Sequence, residues 1–128
     1  MRIFIGYIAV FFGAGIGGAL RLTANRAGVN FGQSFPWSTL FVNVSGSLTI
    51  GLIAGWFALR SQAGQTLRLF LTIGVLGGYT TFSAFALDTA LLWERGQGWG
   101  CALYIASSVL LSLAGVFLGL AIIRQLPS

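Results

Sequence analysis

Asn43 stands inside "FVNVSGS", in a stretch that is otherwise apolar, with Thr39 four residues before it and Ser47 four after. On a helix this spacing places all three on one face, which Gly51 and Gly55 continue. An amide carries two donors and an acceptor, and leaving them unmet at membrane depth is costly. Asn43 therefore either glues helices together or lines a polar path, and the hydroxyls of Thr39 and Ser47 favour the path. Tyr104, Ser108 and Ser112 repeat the four-residue spacing near the other end of the chain. Cation paths usually need acidic rings or focused carbonyls, whereas anions need donors. A neutral, narrow, donor-rich lining best suits a small, hard, strongly hydrated anion. Phe82 and Phe85, three apart, could face it with the positive edges of their rings.

A second cluster lies in "IGVLGGYTTFSAF", residues 73 to 85. Two glycines followed by two threonines are poor helix formers in an uncharged run. The doublet Gly77–Gly78 is expected to interrupt a helix, with Thr80, Thr81 and Ser83 capping a fresh one. Such a break frees carbonyls at the end of the first half-helix, which suit a bound cation such as Na⁺. The plainer reading is a glycine kink that lets a neighbouring helix approach.

The elements that must position these residues follow from composition. Of 128 residues, 56% are hydrophobic and 7% charged, with a mean hydropathy of +0.89; a soluble domain carries about 25% charged residues. An all-α membrane protein is predicted, a single domain over 1–128 with four transmembrane helices near 3–24, 37–59, 67–93 and 99–124, the third of them broken. Pro36 suits the start of the second span and Thr66 the cap of the third. Trp37, Trp93 and Trp99 fall near the interface. Gly13, Gly17, Gly115 and Gly119 read as close-packing positions, and Cys101 as a small packing residue.

The seven arginines are isolated, so they form no nucleic-acid surface. Four spans put Arg2, Arg60, Arg68 and Arg124 on one side and Arg21, Arg26 and Arg95 on the other. The difference, 4 − 3 = 1, barely selects an orientation. Copies inserted both ways and paired as an antiparallel homodimer are expected, since one small bundle has little room to enclose a polar path. Arg21, near the end of span one, fits equally a headgroup anchor and a vestibule that concentrates anions.

"GGYTTFSAF", "FVNVSGS" and the "GALR" ending at Arg21, together with the four-span length, resemble the small bacterial fluoride channels of the Fluc or CrcB family. The resemblance implies a dual-topology dimer in the bacterial cytoplasmic membrane that passes fluoride passively through two antiparallel pores, giving fluoride resistance. It implies that Phe82 and Phe85 line the pores beside Thr81 and Ser83, that Asn43 hydrogen-bonds fluoride, and that Tyr104, Ser108 and Ser112 form a polar track. Backbone carbonyls of Gly77 and Thr80 from both subunits would hold a structural Na⁺. The chain departs from the usual family pattern at Ala84, where a threonine is usual, and at Asp88, where glutamate is common.

A small proton-coupled multidrug transporter shares the size and span number. It needs a carboxylate deep in the membrane, usually in span one, and the two acidic residues here are Asp88 and Glu94, late in span three. A packing-only assembly subunit explains the glycines but not Asn43 with the threonine–phenylalanine run. No nucleophile–base pair, metal cluster or phosphate loop suggests an enzyme.

Overall fold

The computed structural model describes residues 1–28, 34–60 and 63–126. Four helical spans are long and apolar enough to cross a membrane among these residues. The first is α1 (Arg2–Gly28) and the second α2 (Trp37–Leu59). The third is composite: α3 (Gln65–Leu69), a π-helical stretch Phe70–Leu76, α4 (Gly77–Tyr79) and α5 (Phe82–Glu94). The fourth is α6 (Gly98–Arg124). Pro36 immediately precedes α2 and its carbonyl accepts from the Leu40 N–H at 3.2 Å. Thr66 does not cap α3: Gly64 is the N-cap, two residues before the threonine, which therefore lies inside the first turn. At the far end, Gly96 takes φ +73°, a conformation that glycine adopts at least cost, and so turns the chain into α6. Trp37, Trp93 and Trp99 lie exposed at helix ends on this side.

Two helix pairs build the bundle, and both meet through glycine. In α1, Gly13 and Gly17 lie directly against the backbone of the π-helical stretch. A Cβ at Gly13 would come within 2.7 Å of the Phe70 carbonyl, and one at Gly17 would strike the Val75 carbonyl. α2 packs on α6 in the same way, with Gly119 against the Leu48 carbonyl and Gly51 against Val116. Without a hydrophobic force between helices in lipid, this close backbone approach is what holds the pairs together.

The interruption of span three lies at the threonines, not at the glycine doublet. Gly77 is helical (φ −63°, ψ −37°), whereas Thr80 (φ −80°, ψ 160°) and Thr81 (φ −156°, ψ 117°) are extended. β-Branched residues favour that conformation. Gly78 serves packing instead: a Cβ there would stand 2.9 Å from the Ala14 Cα. Of the three expected caps only Thr81 acts, its Oγ1 accepting from the Ala84 N–H at 3.1 Å. Thr80 Oγ1 turns back to the Leu76 carbonyl, and Ser83 Oγ lies 3.3 Å from Thr81 Oγ1.

Candidate functional site

Asn43 decides the shape of the break. Its Nδ2 donates to the Thr81 carbonyl at 2.9 Å and its Oδ1 accepts from the Thr81 N–H at 2.8 Å. The side chain thus takes up the N–H of an extended residue that has no helical acceptor, and adds a bond to a carbonyl that already receives the first hydrogen bond of α5. In a continuous helix that N–H would go to the carbonyl of Gly77, four residues back. Asn43 takes it, and the Gly77 carbonyl loses that partner. The second Nδ2 hydrogen is left to point elsewhere.

The break is fastened on two further sides. Arg21 reaches inward, placing Nη1 3.4 Å from the Thr80 carbonyl. The guanidinium thus lies within reach of a carbonyl that the break takes out of the helix. The hydroxyls of Ser45 and Tyr79 share a hydrogen bond of 2.9 Å between α2 and α4.

Beside the break runs an open cleft of about 460 Å³. Asn43 and Ser47 line it from α2, Thr80, Thr81, Phe82 and Phe85 from the broken span, and Ser108 and Ser112 from α6. No charged side chain lines it among the described residues. Phe82 and Phe85 stand with ring centroids 5.5 Å apart and planes tilted by 47°. Phe82 is 80% exposed in the single chain. Ser108 carries the most telling atom: its Oγ is buried and has no hydrogen-bond partner. An unmet buried hydroxyl costs about 1–3 kcal/mol, so a group that accepts its proton would be bound favourably.

Other expected site residues lie apart from this lining. Thr39 and Tyr104 are buried, Ser83 is exposed, and none of the three borders the cleft. Tyr104 instead donates its hydroxyl to Asp88 Oδ2 at 3.1 Å and lays its ring against Phe85 at 5.3 Å. Conversely, Thr72 borders the cleft and was not anticipated. Its spacing of eight from Thr80 already places both on one helix face. Its hydroxyl proton goes to the Arg68 carbonyl at 2.8 Å, so it offers the cleft an oxygen rather than a donor.

Comparison with known proteins places this chain among close relatives. The family profile described as "CrcB-like protein, Camphor Resistance (CrcB)" matches residues 8–120. A fluoride-specific ion channel FluC of Rhodopseudomonas palustris (strain BisB5) is 54% identical over 121 residues, covering 94% of this chain and 98% of that protein. Fluoride-specific ion channel FluC 2 of Nitrobacter hamburgensis is 52% identical over 123 residues, covering 95% and 99%. The FluC protein of Methylobacterium nodulans is 52% identical over 118 residues, covering 92% and 95%.

Proposed function

The chain belongs to the CrcB family, and from that premise and the cleft we propose that it is a fluoride-selective channel of the bacterial inner membrane. It is a multi-pass membrane protein and not an enzyme; its work is to let fluoride leave the cytoplasm down its gradient. The buried, unpartnered Ser108 Oγ carries the reading. With Asn43, Ser47 and Ser112 it offers donors to an anion in a lining that has no fixed charge to trap it. Larger, softer halides gain less from such hydrogen bonds, which is the basis for selectivity. A proton-coupled exchanger finds no support, because no carboxylate lies in the cleft or in α1.

The cleft is open along one side and Phe82 projects from it, so closure calls for a second copy. The nearly balanced arginines support antiparallel pairing. Fluoride would then pass between the phenylalanine edges and along the serines, with Thr81 and Ser83 at the start of α5. The Gly77 carbonyl, with the second lone pair of the Thr80 carbonyl that Arg21 approaches, would hold a structural Na⁺ shared by the two copies. The first lost its helical partner to Asn43, and both lie at the negative end of a half-helix. Two carbonyls from one chain are too few for Na⁺, so the partner must add its own. The ion would supply positive charge that neutralises those half-helix ends.

In proteoliposomes loaded with fluoride or chloride, a halide electrode is expected to record fluoride efflux without a pH gradient, negligible chloride efflux, and slower fluoride efflux when Na⁺ is replaced by a large organic cation. Equal release of the two halides, or strict need for a pH gradient, rejects the reading. Separately, single cysteines at either terminus are expected to react with impermeant reagents from both sides of the membrane. Labelling from one side only rejects antiparallel pairing.

A further inference from the structure

Where α5 ends and α2 begins, a smaller cleft of about 180 Å³ is bordered by Phe35, Pro36, Asp88 and Arg95. Tyr104 joins it to the serine face, since its hydroxyl donates to Asp88 while its ring contacts Phe35 at 5.5 Å and Phe85 at 5.3 Å. Asp88 and Arg95 are seven residues apart, two turns along one face. Asp88 alone would repel an approaching anion. The start of α2 counters it in part, because no side chain caps its free N–H groups and Pro36 borders the cleft.

The remaining charges on this side do not reach the opening. Arg21 is engaged with the Thr80 carbonyl, and Arg26 and Glu94 are exposed outside the cleft's lining. We infer that Arg95 is the anion-collecting residue at the mouth of the pathway, reversing the sign that Asp88 would otherwise impose there. The inference rests on the fluoride reading. Collection acts on entry, so it governs flux when fluoride is dilute and counter-ions are few.

The test measures fluoride efflux at sub-saturating fluoride in about 10 mM and about 1 M inert salt, where the screening lengths are about 30 Å and about 3 Å. Loss of one charge across several ångströms of water changes local anion concentration about threefold. Arg95→Gln is therefore expected to slow efflux about threefold in low salt and to match the unaltered protein in high salt. Arg95→Lys should behave as the unaltered protein in both, and Arg26→Gln, the same charge lost on the same side, should change neither. Arg95→Gln indistinguishable from an active unaltered protein in both salts overturns this inference alone. So does an equal loss in Arg26→Gln. An unaltered protein that passes no fluoride overturns the functional reading, and this inference with it.

Discussion

Asn43→Ala is expected to abolish fluoride efflux while leaving a folded protein that extracts and runs like the unaltered one. The substitution removes both bonds to Thr81, at 2.9 and 2.8 Å. The Thr81 N–H, left unmet in the bundle, costs about 1–3 kcal/mol. The chain has a ready escape: the Thr81 N–H can return to the Gly77 carbonyl and continue the helix through the break. That relaxation preserves the fold and destroys the site, because Thr80, Thr81 and Phe82 rotate away from the cleft and the Gly77 carbonyl is consumed. A penalty of about 3 kcal/mol on the open arrangement corresponds to a fall in efflux of about a hundredfold.

Asn43→Asp separates the clamp from the lining. A carboxylate still accepts from the Thr81 N–H but cannot donate to its carbonyl, and it adds a negative charge to an anion path. Efflux should be lost here also, because the added charge repels the anion even where the Thr81 N–H is still held. Efflux at the unaltered rate in Asn43→Ala would mean that the break is held without this residue, and the account of the site would fail.

The same residue shows what was legible in the sequence and what was not. Hydropathy located all four spans, and α2 matches 37–59 at both ends because Pro36 and Arg60 bound it. α1 runs to Gly28, past the expected end at 24, since a helix can continue beyond the hydrocarbon where charges such as Arg26 are solvated. The break was expected at the glycines because they are weak helix formers. Propensity is a small local term, and two long-range bonds from a residue 38 positions away outweigh it. Nothing local to "GGYTT" reveals that Thr81 is the residue held. Asn43 was read as glue or path; its bonds to Thr81 are those of a residue that ties two spans together, and it also borders the cleft. Thr72 was passed over because one hydroxyl in an apolar run resembles a residue bonded to its own helix, which its proton indeed is.

Phe82→Ile is the sharper test of the aromatic edges. Isoleucine keeps an apolar side chain of useful bulk and removes the ring with its positive rim. Phe82 is 80% exposed in the single chain, so its truncation takes little from the packing within one subunit. Phe85→Ile is less clean, because Phe85 also contacts Tyr104, whose hydroxyl meets Asp88. An aromatic edge contributes about 0.5–1.5 kcal/mol to an aromatic partner and more to an anion held away from water, so efflux in Phe82→Ile should fall by at least about tenfold. Phe82→Tyr, which retains the ring, should keep more of it. Cross-linking should give the same pattern in both variants as in the unaltered protein, which separates lost conduction from lost assembly. If Phe82→Ile passes fluoride as fast as the unaltered protein, the phenylalanines are packing residues only. The conduit would then depend on the amide and hydroxyl donors alone.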